Sequence, residues 1–164
     1  MGFLSAPQVE LKALEKALRA YLISTDPARL DLDAIHAYLS GESYWARGRS
    51  RDRIVRAVEN SLPFGAYRDG AQVGFARVVT DYGTFAWLAD VYVLDAHRGR
   101  GLGKALVETV VEHPAIAGLP RVLLATLDAH RLYEQFGFVA LRGDERFMAI
   151  EARKLTEHYP REEC

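Results

Sequence analysis

Residues 98–104 read Arg-Gly-Arg-Gly-Leu-Gly-Lys, three alternating glycines set among three cationic side chains. An apolar β-type run enters this segment and a helical pattern leaves it, so the glycines fall at a strand-to-helix junction. The first N–H groups of a helix have no intrahelical partner and carry the positive end of its dipole. Glycine lets the main chain approach an anion closely, and Arg98, Arg100 and Lys104 add charge-assisted donors. That is phosphate-binding chemistry; a solvated glycine turn is the bland alternative that one loop leaves open. Two familiar phosphate motifs fail on spacing. A P-loop needs Ser or Thr after its lysine, and Ala105 follows Lys104. The dinucleotide fingerprint needs G-x-G-x-x-G after the first strand of a parallel unit, whereas this loop is G-x-G-x-G. ATP, GTP and NAD are therefore poor candidates. The five histidines show no metal spacing, and the one cysteine, Cys164, cannot form a zinc site or a staple; no metal is expected.

The elements that must position this loop follow from periodicity. Leu11, Leu14 and Leu18 have helical spacing within residues 9–22, which reads either as an extra N-terminal helix or as the approach to a strand near 21–25. Asp31 or Asp33 can cap a short helix carrying Leu32, Ile35 and Leu39 and ending near Gly41. Ser50 can cap the next, with Ile54, Ala57, Val58 and Leu62 inward and Pro63 as its stop. From there the period becomes two. Residues 64–68 and 72–81 read as strands around Asp69-Gly70, a hairpin signal, and a turn at Tyr82-Gly83 leads to a long strand over 85–94. Leu102, Ala105, Leu106, Thr109 and Val110 define the helix after the glycines, ended by His113-Pro114. Residues 121–126 read as an apolar strand buried on both faces. Asp128 should cap a helix over 129–136 closed by Gly137, with last strands at 138–141 and 147–152.

With 164 residues, 49% hydrophobic and 26% charged, the chain suits one globular domain. A net charge of −1 gives no basic face for nucleic acid or an anionic membrane. No apolar run reaches a membrane span and no secretory signal opens the chain, so the expected location is the cytoplasm. The expected division is an N-terminal extension over 1–19, a domain over 20–155 and a polar tail over 156–164.

A second segment, Leu132-Tyr133-Glu134-Gln135-Phe136-Gly137-Phe138, makes the glycine loop specific. Together they resemble the signatures of the GNAT superfamily of acyl-CoA-dependent N-acetyltransferases: Gln or Arg, two residues, Gly, one residue, Gly or Ala for the pyrophosphate, then Leu-Tyr, two or three residues, Gly-Phe on the last helix. The resemblance covers about residues 21–152 and extends, in small bacterial single-domain members, to Ser43-Tyr44-Trp45-Ala46. It implies an α/β (α+β) fold with a mixed, mainly antiparallel sheet of six to seven strands and four flanking helices. It also implies acetyl-CoA as donor, a small-molecule or peptide amine as acceptor, and direct transfer without an acyl-enzyme, and it leaves a homodimer open. One departure is Thr126, where an Asn is often found.

By that resemblance the fourth strand splays from its neighbour, and Val91, Tyr92 and Val93 offer main-chain groups to the pantetheine arm. Arg98, Gly99, Arg100, Gly101, Leu102, Gly103 and Lys104 hold the pyrophosphate, and Ala129 also touches the cofactor. Tyr133 returns a proton to the CoA thiolate; its alternative is ring packing. For the amine, Asp90, Asp81 and Glu42 lie on segments expected to rim the acceptor pocket, Asp90 being the best candidate for a base. Tyr44, Trp45, Tyr82 and Trp87 could wall that pocket or make cation–π contacts. A flat acidic groove would favour a protein substrate, and a closed aromatic pocket a small amine. A non-catalytic CoA-binding module is the rival from another class.

Overall fold

The computed structural model describes residues 13–18 and 20–141. Six strands form one sheet in the order β1 (Glu15–Leu18), β2 (Tyr21–Ser24), β3 (Leu62–Arg68), β4 (Ala71–Thr80), β5 (Ala86–Val93) and β6 (Val122–Leu123). Neighbours are antiparallel except the last pair, where β5 and β6 run parallel. The helices are α1 (Leu32–Ala37), α2 (Arg51–Glu59), α3 (Leu102–Glu112) and α4 (His130–Glu134). Strand alternation separates two apolar clusters. Ala76 and Val93 pack with Leu102, Leu106, Val107 and Val110 of α3, while their chain neighbours Phe75 and Tyr92 pack with Ile35 and Leu39 near α1 and with Ile54 and Val58 of α2. The fold is the mixed α/β arrangement expected.

Turn chemistry sets the meander. Asp69 and Gly70 both have positive φ (49° and 83°), as a two-residue hairpin requires, and Tyr82 turns the next one at φ 60°. Asp31 caps α1 by accepting from the N–H of Ala34 at 2.9 Å. α1 then continues as a wider turn over Tyr38–Glu42.

Several expectations are corrected. Of the two readings left open for residues 9–22, the described residues follow the strand: β2 spans Tyr21–Ser24 and Glu15–Leu18 pairs with it, hairpin pairing outweighing the weak helical propensity. Ser50 precedes α2 without a side-chain cap bond, and Pro63 lies inside β3 rather than in a stop. The run at 121–126 gives only the two-residue β6, half-buried, and 138–141 is not a strand. Asp128 does not cap α4. Ala129 stands at the N-cap with no side-chain cap bond, and Thr126 Oγ1 accepts from its N–H at 3.0 Å. The strand expected at 147–152 and the tail lie outside the described residues.

Candidate active site

The decisive irregularity is in β5. Arg77 faces Ala89 and Phe75 faces Tyr92, so the single residue Ala76 opposes both Asp90 and Val91. This is a β-bulge, with Asp90 in the left-handed region at φ 52°. On the other side, pairing with β6 covers only Ala86↔Val122 and Trp87↔Leu123. Beyond Trp87 the two strands part, and the β5 backbone through Val91, Tyr92 and Val93 has no partner strand on that edge among the described residues. An open edge of this kind can take an extended, amide-bearing ligand as an added strand.

A cleft of about 360 Å³ fills the opening, with Tyr44, Trp45 and Trp87 as aromatic walls and Asp90, Val91, Ala129 and Tyr133 among its lining. Ser43 fixes the aromatic loop: its Oγ donates to the carbonyl of Leu39 at 2.6 Å and accepts from the N–H of Ala46 at 3.1 Å. Tyr44 meets Trp45 edge to face at 4.9 Å and accepts from the N–H of Leu127 at 3.3 Å, which ties this loop to the one before α4.

At the cleft floor, Asp90 has a side chain only 4% exposed. Its Oδ1 accepts from Trp45 Nε1 at 3.0 Å, and its Oδ2 from Arg77 Nε at 2.6 Å and Arg49 Nη1 at 3.4 Å. The carboxylate is thus a brace between the bulge, β4 and the aromatic loop. These three donors take most of the carboxylate's acceptor capacity, which makes a structural brace the simplest reading of its geometry.

Tyr133 on α4 is 8% exposed and packs edge to face on Phe138 at 5.9 Å. Burial, reinforced by the nearby Tyr44 and Asp128, pushes its phenol up to about 12. It is therefore protonated at neutral pH and available as a donor.

At the other end of β5 the glycine loop opens α3. Gly99 and Gly101 have φ of 71° and 82°, and a Cβ on either would meet nothing within 4 Å. The first bond of α3 runs from Ala105 N–H to the Gly101 carbonyl at 3.0 Å, which leaves the N–H groups of Leu102, Gly103 and Lys104 without an intrahelical acceptor. Arg100 and Lys104 are exposed beside them. A conformation open to close approach, unpaired N–H donors and flanking cations fit a pyrophosphate. Two residues contribute differently from expectation. Arg98 is used within the protein, its guanidinium donating to the Val93 carbonyl and Tyr38 Oη, both at 2.9 Å, and pairing with Asp95 at 2.8 Å. Leu102 is 1% exposed, so only its backbone can face a ligand.

This constellation has relatives. Residues 32–138 match the Acetyltransferase (GNAT) family. The chain belongs to that family. The GNAT chain is 44% identical to a crystal structure from Xanthomonas campestris pv. campestris, described provisionally as a GNAT acetyltransferase, with a TM-score of 0.79 over 82% of this chain and 95% of that one. It is 37% identical over 135 residues to a Gibberella zeae protein provisionally named an acetyltransferase, covering 69% of this chain and 75% of the other. Over 92 residues, 46% of this chain and 58% of the relative, it is 32% identical to a spermine/spermidine N(1)-acetyltransferase of Bacillus subtilis.

Three residues expected at the acceptor site lie away from this cleft. Asp81 folds into its own turn, where the Thr84 hydroxyl first, then the N–H groups of Thr84 and Gly83, hold its carboxyl far below the usual carboxylate range. Tyr82 sits at the tip of that turn, and Glu42 ends the wide turn after α1; neither lines the cleft. What sequence reasoning missed are Arg49 and Asp128, which do line it. Arg49 lies just past the aromatic loop and Asp128 just before α4, so both were within sight of flagged residues. A larger hollow of about 700 Å³ lies between α3, β6 and residues 136–141. The described chain ends at its wall, and no function is assigned to it. Among the described residues there is no acidic, histidine or cysteine cluster suited to a metal, and no helix long and apolar enough to cross a membrane.

Proposed function

We propose that this GNAT chain transfers an acetyl group from acetyl-CoA to a primary amine of a small molecule, by direct attack within a ternary complex. The observation that carries the reading is that Tyr133, a buried and protonated phenol, lines an aromatic cleft where β5 and β6 part. Acetyl-CoA supplies an activated thioester: a C–N bond forms to its acetyl carbon, the C–S bond breaks, one proton leaves the nitrogen and one reaches the sulfur.

The N–H groups of Leu102, Gly103 and Lys104, with Arg100 and Lys104, hold the pyrophosphate, and the free β5 edge at Val91, Tyr92 and Val93 aligns the arm. Tyr133 Oη donates to the sulfur as the C–S bond breaks. A phenol near 12 facing a thiol of ordinary pKa ~8.5 transfers its proton uphill by about 5 kcal/mol. The same dry surroundings that raise the phenol also raise the thiol, which narrows that gap. Trp45, Trp87 and Tyr44 exclude water and enclose the acceptor. A cleft of about 360 Å³ suits a small amine better than a protein chain.

Saturating acetyl-CoA should raise Tm, by an amount equivalent to about 2.7 kcal/mol at a hundredfold excess over Kd, with ATP and NAD giving little. Thiol release with a panel of amines tests turnover. No shift with acetyl-CoA refutes the donor; a shift without turnover of any amine leaves a binding module.

Gly103 gives the cleanest test of the pyrophosphate site. A Cβ there would meet only Val93 Cγ2 at 3.9 Å, an ordinary contact, whereas Gly101 at φ 82° would be strained by any side chain. Gly103→Val should leave the unliganded Tm nearly unchanged and weaken acetyl-CoA about 10–100-fold, the worth of a displaced charge-assisted hydrogen bond. Calorimetric Kd values decide it; equal affinity would reduce the loop to a turn.

A further inference from the structure

The cleft holds two arginines and two carboxylates, and they are not equally committed. Asp90 is engaged by three donors. Arg77 is 13% exposed and built in, donating to Asp90 through Nε and to Ser61 Oγ through Nη1 at 3.1 Å. Arg49 differs. Its side chain is 30% exposed and its one side-chain contact is the long 3.4 Å approach of Nη1 to Asp90. Its remaining N–H groups meet no acceptor among the described residues, in a cleft whose other cation is already neutralised by Asp90. Asp128, exposed at the cleft, has no hydrogen-bond or ion-pair partner through its carboxylate among the described residues. It lies close enough to Tyr133 for its charge to be felt at the phenol.

We infer that the acceptor is a zwitterion, an amine that also carries a carboxylate, with Arg49 receiving the carboxylate and Asp128 facing the ammonium beside Tyr133. The inference rests on the acetyl-transfer reading above and deepens it by naming the acceptor class. A planar guanidinium with free N–H groups matches a carboxylate in charge and shape. A polyamine, which is what the Bacillus relative's name specifies, meets the opposite arrangement. It would bring several positive charges to a site with one carboxylate free of partners among the described residues and an arginine held only by one long contact.

The test uses matched probes: phenylalanine against phenethylamine, 4-aminobutyrate against butylamine, and spermidine. Thiol release from acetyl-CoA gives kcat/KM for each. The protein's two tryptophans, Trp45 and Trp87, both line the cleft, so their fluorescence reports binding of the same probes with and without CoA, independently of turnover. At least one aminocarboxylate should exceed its carboxylate-free partner by about 10–100-fold, the usual worth of a hydrogen-bonded ion pair. Arg49→Gln should collapse that preference to within a few-fold, and Arg49→Lys should restore part of it. The Tm shift with acetyl-CoA should be the same in all three proteins.

Spermidine or the carboxylate-free amines binding and reacting as well as the aminocarboxylates would overturn the inference. So would an unchanged preference in Arg49→Gln, or acetyl-CoA binding with no aminocarboxylate bound or acetylated. Loss of the acetyl-CoA shift in the parent is a different result. It refutes the transfer reading, while the fluorescence titration still decides what Arg49 holds.

Discussion

Tyr133→Phe should lower kcat by ~10²–10⁴, the usual cost of a lost general acid, while acetyl-CoA Kd stays nearly constant. The phenylalanine ring keeps the edge-to-face contact with Phe138 and the place in the core, so the fold and the cleft wall survive. Only the Oη donor is removed. Burial holds that phenol near 12, so it stays protonated across the whole working range. In the parent, kcat/KM should therefore rise with pH as the acceptor amine loses its proton, with no fall from Tyr133 below about pH 10. The measurement is kcat and Kd against pH for both proteins once an acceptor is in hand. A Phe variant within about twofold of the parent at every pH, far from the hundredfold minimum expected, would reduce Tyr133 to a packing residue.

Asp90→Ala should destabilise the fold by about 3–5 kcal/mol, the usual cost of breaking a buried ion pair from one side. The loss leaves Arg77 charged and 13% exposed with no carboxylate, frees Trp45 Nε1, and puts alanine at φ 52°, where a Cβ is penalised. Asp90→Asn should cost less, because asparagine tolerates the left-handed region and keeps an acceptor for the indole. Adding Arg77→Met to Asp90→Ala should recover much of the loss, since the orphaned charge goes with it. Urea unfolding of the parent, Asp90→Ala, Arg77→Met and the double variant gives the cycle, with Asp90→Asn measured beside it. If Asp90→Ala unfolds within 1 kcal/mol of the parent, far below the 3–5 expected, Asp90 is not the brace described and the base role reopens.

Chemistry that depends on chain-local features was legible in the residues. The strand, glycine loop and helix at 91–112 are contiguous, and unpaired N–H groups at a helix start need no distant partner to be recognised. The same holds for the Asp69-Gly70 hairpin, where both residues adopt the positive φ that their types allow. Tyr133 was singled out by the paired motifs, whereas its burial came only from the folded packing.

Tertiary structure decided which carboxylates reach the cleft. Asp81, Glu42 and Asp90 are equivalent as letters, yet one satisfies its own turn, one ends a wide turn away from the cleft, and one is locked by donors 13, 41 and 45 residues distant. A carboxylate's role depends on what surrounds it, and those surroundings come from non-local pairing that spacing along the chain does not encode. The strand at Glu15–Leu18 shows the same limit. Leucines at helical spacing specify only a weak local preference, and pairing with β2 overrides it. Arg49 escaped notice for the complementary reason: among the chain's many arginines, only the folded cleft distinguishes the one that lines it with a single long contact to Asp90.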